Sequence, residues 1–116
     1  MTSATIDRRM GLSGTTAFKS PADLATTGNI TLNGEQTIDG TLTSGSRVLV
    51  WQQTNPVQNG LWDTDTGAWT RCKDANTSRD LANGTRVAVT GGTAYGGSIF
   101  ACTTTDPIPG STSMAW

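Results

Sequence analysis

Asp63 and Asp65, two positions apart in Asp63-Thr64-Asp65-Thr66-Gly67, come nearest in this chain to a reaction centre. Two carboxylates can cleave a glycoside, one as acid and the other as base or nucleophile, when a cleft holds them at a defined separation. At i and i+2 in a turn, in a chain too small to build that cleft, they are expected to be solvated turn residues. The same five residues open like a calcium loop. That loop needs an oxygen ligand at position 5 and glycine at position 6, where this chain has Gly67 and Ala68. A hairpin turn is therefore expected, with no metal and no other cofactor. Histidine is absent, which removes Ser–His and Cys–His nucleophile pairs, histidine-ligated zinc and the commonest general base together. Residues 91–97, though glycine-rich, lack the lysine and following helix of a phosphate loop. Cys72 and Cys102 sit in strand-like runs and are expected as reduced, buried small hydrophobes. No catalytic residue is assigned, and the chain is read as non-enzymatic.

The elements that position these groups centre on residues 47–72, which hold three of the four tryptophans. Val48, Leu49, Val50 and Trp51 form an apolar run suited to a buried strand. Pro56 breaks it, Asn59-Gly60 signals a turn, Leu61-Trp62 resumes a strand, and Ala68 to Arg71 returns after the aspartate turn. Upstream, Ile30 and Leu32 alternate with polar residues in a half-buried pattern, and a short strand over residues 36–38 ends at Asp39-Gly40. Downstream, strands are expected over residues 85–90, 98–103 and 111–116. One helical turn is expected over residues 78–81, capped by Asn76 or Thr77. The fold class is all-β: a small antiparallel β-sandwich or partly closed barrel, with an extended N-terminal arm and at most one short helical turn. The arm covers residues 1–24 and the β domain residues 25–116. Ile6, Arg8, Arg9 and Phe18 are its candidate docking residues, and its removal is expected to spare folding.

Composition narrows the function classes. With 34% hydrophobic and 15% charged residues and 14 glycines, the chain suits many short strands and tight turns. A net charge of −1 without a basic run does not supply the phosphate-neutralising patch of a nucleic-acid binder. No apolar segment reaches the length of a membrane span. Residues 1–10 lack the long apolar core of a secretory leader, so synthesis in and release from the cytosol is expected. Aromatic side chains could stack on sugars. Trp51 and Trp69 are expected in the core, while Tyr95, between two glycine pairs, and Trp62 are the candidate partner or glycan contacts.

The ordered phrases TTGNITLNGEQTIDG, SGSRVLVWQQTNPVQNGLW and TGAWTRCKDANTSRDL resemble a domain that recurs in tail-fibre and related structural proteins of tailed bacteriophages. The resemblance spans residues 25–105, with Trp51 where that family tends to have lysine and Trp62 where it tends to have tyrosine. It implies a structural virion component made in the bacterial host cytoplasm, in the tail-fibre or appendage apparatus, acting in assembly or host attachment. Its implied partners are other virion proteins and further copies of itself, a trimer by analogy with fibres, with a host surface glycan as a possible ligand. Alternatives are a capsid or collar decoration protein and a carbohydrate-binding module.

Overall fold

The computed structural model describes residues 14–116; Ile6, Arg8 and Arg9 lie outside the described residues. The chain is all-β; its described residues form short strands in three small sheets that do not close into a barrel. The strands are β1 (Leu24–Ala25), β2 (Thr37–Ile38), β3 (Thr41–Leu42), β4 (Arg47–Val50), β5 (Gly60–Asp63), β6 (Thr70–Arg71), β7 (Arg86–Ala88) and β8 (Ile99–Ala101). The largest sheet has the order β1-β4-β5-β6, and β2-β3 and β7-β8 are hairpins.

β4 and β5 pair antiparallel, with Val48 opposite Trp62 and Leu49 opposite Leu61. Because successive side chains point to opposite faces, Leu49 and Leu61 enter one apolar cluster with Ala25, Cys72, Val87, Val89 and Met114. Val48 and Val50 enter a second cluster with Leu24, Ile38 and Trp69. The sheet is thus buried on both faces, which is why β4 reads as a continuous apolar run rather than an alternating one.

The segment before β1 is part of this architecture. Phe18 and Ala22 bridge in parallel to Arg86 and Val89, while Leu24 and Ala25 pair in parallel with Val48 and Leu49. Lys19 and Ala22 donate N–H bonds to the Arg86 and Ala88 carbonyls (both 2.8 Å), and Asp23 and Thr26 donate to Arg47 and Leu49 (2.7 and 3.0 Å). Residues 18–26 therefore form a seam joining β7 on one side to β4 on the other. The division expected between residues 24 and 25 falls inside this seam. Parallel pairing needs long crossovers, and here they are the whole spans between the seam, β4 and β7.

Local details differ from expectation where side chains take over backbone partners. Residues 30–34 run beside residues 67–69, with Trp69 N–H on the Leu32 carbonyl (3.1 Å) and Gly34 N–H on the Gly67 carbonyl (2.9 Å). The Gln53 side chain both accepts from Ile30 N–H and donates to its carbonyl (2.9 Å each), so this segment is pinned rather than laddered. Asn59-Gly60 is not a hairpin turn. Asn59 closes a 3₁₀ turn at Pro56–Gln58, and Gly60 starts β5. Residues 78–81 form no helix: the Asp80 carboxylate accepts from the N–H groups of Asn76 and Thr77 (3.1 and 3.0 Å), which favours a compact turn. The described helical turns are Gly14–Ala17, Pro56–Gln58 and Lys73–Ala75. Residues 111–116 form no strand; Met114 N–H bonds the Pro56 carbonyl, and the Asn59 amide returns to the Met114 carbonyl. Among the described residues no helix is long and apolar enough to cross a membrane.

Candidate functional site

The β2–β3 hairpin turns on Asp39-Gly40, both at positive φ (+49° and +86°), the backbone of a type I′ turn. This turn aims the Asp39 carboxylate at the glycine-rich loop. It accepts from the N–H groups of Ala94 and Tyr95 (2.9 Å each), and the Asp39 carbonyl accepts from Thr93 N–H (3.0 Å). The loop wraps so closely that a Cβ on Gly92, at φ +104°, would collide with the Asp39 carboxylate. A Cβ on Gly96 would come within 2.6 Å of the Gly92 carbonyl oxygen. Glycine here buys close approach, not looseness, and the loop is clamped.

Tyr95 is consequently held in place. Its ring meets Trp51 edge-on (centroids 5.5 Å apart, 86° between planes) and Phe100 at 5.7 Å. Trp51 and Phe100 lie 5.0 Å apart, and Trp51 donates its indole N–H to the Thr26 carbonyl (2.8 Å). The trio is half-buried against the Leu49–Leu61 cluster. Trp51, expected inside, thus keeps part of its surface in solvent, whereas Trp69 is buried as expected.

Trp62 belongs elsewhere. It follows Leu61 on β5 and so faces the opposite side, against the Val48–Val50 cluster. The Arg71 guanidinium lies 4.5 Å from the centre of its ring, and its indole N–H donates to the Gln58 carbonyl (2.8 Å). Arg71 also donates to the Asn59 and Val57 carbonyls (3.0 and 2.8 Å), in space that a Cβ on Gly60 would occupy. The structure therefore places Tyr95 and Trp62 on different clusters, not on one platform. Of the docking residues, Phe18 is described and stands half in solvent at the start of the seam.

The groups with the most chemical potential serve as latches. Asp63 accepts the Cys72 thiol (3.2 Å), and Asp65 accepts the N–H of Thr66. Asp74 makes a bidentate pair with Arg47 (2.8 and 2.9 Å), whose Nε donates to the Ser20 carbonyl (3.1 Å). Burial, first, raises the Asp74 pKa, but the Arg47 bonds and charge outweigh it and hold the carboxyl below its ordinary value. Glu35 accepts from Thr43 Oγ1 and Gly45 N–H, which lowers its pKa, and so closes the residue 35–45 loop. Among the described residues no group of three His, Cys, Asp or Glu side chains is placed to hold a metal ion.

Cys72 and Cys102 are both free and buried. Burial and then the hydrogen bond to Asp63 push the Cys72 thiol up to about 12. Iodoacetamide at about pH 8.5, near an ordinary thiol pKa, should leave both cysteines unlabelled in the native protein and label both in concentrated urea; mass spectrometry reads the result. Since the folded Cys72 pKa lies above its reference of 9.0, its contribution to stability is intact below that pH and is lost as pH rises toward about 12.

Asp39, Phe100 and Arg71, the cation over Trp62, were not among the residues singled out from sequence. The Asp-Gly pair marked a turn, but which loop its carboxylate would meet depends on strands distant in sequence. Comparison with known protein families, with curated proteins and with solved structures finds no match for this chain.

Proposed function

We propose that this protein is a non-enzymatic structural component of a bacteriophage virion, in the tail-fibre or appendage apparatus, made in the bacterial host cytoplasm. It mediates virion assembly or host attachment through contacts with other virion proteins and with its own copies. The observation that carries the reading is how the side chains are spent. Acids and amides hold loops to the sheet, while large apolar side chains stand at the surface: Leu42, Ile99, Phe18 and Ile108 are 67%, 61%, 49% and 45% exposed. Exposed apolar side chains on a latched scaffold suit contact between proteins better than chemistry on a small molecule. The ordered tail-fibre phrases supply the virion context.

Labelled-antibody electron microscopy of particles from an infected culture tests this. Label on the tail or its appendages is the expected result. Label on the capsid or collar would replace it with the decoration reading, and purified particles without label would overturn both. Host glycan contact is the second reading, favoured by the clamped loop that presents Tyr95 without an ordering cost on binding. It expects binding on a glycan array that Tyr95→Ala weakens at least about tenfold, the scale of one lost aromatic contact.

A further inference from the structure

We infer that β8 is an assembly edge, and that its occupant is the β8 strand of a second copy of this chain, paired antiparallel about a twofold axis at Phe100. The hydrogen-bond pattern of β7 leads to this. Its Arg86 and Ala88 carbonyls accept from the seam residues Lys19 and Ala22, so the main-chain groups of these two residues point away from β8. Their opposite numbers on β8 are Ala101 and Ile99. In an antiparallel ladder, facing residues of such a pair both direct their N–H and C=O groups outward. Consistently, the bonds between these two segments outside the strand ladder fall on the alternate residues: Cys102 N–H donates to Thr85, and Val89 N–H to Ser98 (2.7 and 2.8 Å). Ile99 and Ala101 therefore present two donors and two acceptors on the edge, with no described segment paired to them.

That edge is complementary to itself. Placing Ile99 opposite Ala101 of a second copy, and the reverse, forms two reciprocal pairs and four main-chain hydrogen bonds. The same operation sets each exposed Ile99 side chain beside the small Ala101 of the other copy. The free stretch is short: Thr103, the next outward-facing residue, already donates its N–H to the Ala115 carbonyl (3.0 Å), so the pairing is confined to Ile99 and Ala101. Residues 98–105 contain no charged residue and no proline, the usual guards of a free edge. Arg86, opposite Ala101 on β7, sits one strand further in. Its counterpart in the other copy would be three strand spacings away, roughly 14 Å and beyond the Debye length at physiological salt. The pairing closes on two copies, unlike the threefold assembly implied by fibres, and it does not depend on the virion assignment.

The test is sedimentation equilibrium on the full chain and on two variants, with amide exchange at Ile99 and Ala101. Ala101→Pro removes an N–H that faces solvent in the monomer, so it spares the bonds to β7 but deletes two of the four between copies. Ile99→Lys guards the edge with charge at an exposed position. The expected result is a weak monomer–dimer equilibrium whose dissociation constant rises roughly 10- to 100-fold in Ala101→Pro, the range for two lost hydrogen bonds. A rise is also expected in Ile99→Lys, and the two amides should become protected as concentration increases. A monomer up to about 1 mM, the weak limit of protein association, overturns the inference. So does an oligomer that neither variant weakens. Amides already protected in the monomer would also overturn it, by showing that another part of the same chain covers the edge.

Discussion

Deleting residues 1–24 should leave a chain that does not fold. The deletion removes Ala22 and Leu24, both buried, and opens the seam between β4 and β7. Losing a buried leucine alone costs about 2–5 kcal/mol. The carbonyls of Arg86, Ala88 and Arg47 lose their N–H donors, and the N–H groups of Thr90 and Gly91 lose the Ala22 and Asp23 carbonyls. The Arg47 N–H also loses the Asp23 carboxylate, a bond of 2.9 Å. With the seam removed these groups bond water instead, so each lost bond costs about 0.5–1.5 kcal/mol. Added to the lost burial, such terms rival the roughly 5–15 kcal/mol that holds a small domain together. Circular dichroism with urea titration reads the outcome. A cooperative transition in the chain lacking residues 1–24 would show that the two halves hold together without the seam. This expectation reverses that of a dispensable arm.

Leu49→Ala should cost about 2–5 kcal/mol, lowering the urea midpoint sharply without changing the slope. Leu49 and its cross-strand partner Leu61 are both fully buried at the centre of the cluster that ties β4 and β5 to Val87, Val89 and Met114. Strands and loops from both sides of the seam converge there, so few neighbours are free to collapse into the cavity. Leu42→Ala makes the contrast within one residue type. Leu42 lies on the β2–β3 hairpin, 67% exposed, and its truncation should stay within about 0.5 kcal/mol of the parent. Equal losses at the two sites would mean that Leu42 is covered in solution, as by a second copy.

Much of the strand content was legible in the residues. The Val48-Leu49-Val50 run reads as a buried strand, and Asp39-Gly40 could satisfy two successive positive φ angles. The missing histidine excludes histidine-based nucleophile pairs and ligands, and Gly67-Ala68 breaks the spacing of a calcium loop. Asn59-Gly60 misled because a glycine signals permission, not a particular use. Here its lack of a Cβ leaves room for the Arg71 guanidinium. The candidate contacts Tyr95 and Trp62 were chosen by residue type and flanking glycines, which say nothing about which face of the sheet each will meet.

What the sequence alone determined was local: which stretches extend, where they break, and that the protein is all-β. The tertiary structure decided which of those stretches become neighbours. Residues 18–26 show no alternation, yet they lie at the centre, because their partners β4 and β7 are supplied from far along the chain in parallel register. Asp39 clamps a loop more than fifty residues away for the same reason. A period of two is written between adjacent residues; the closing of a long loop, with the entropy it costs and the burial that offsets it, is not.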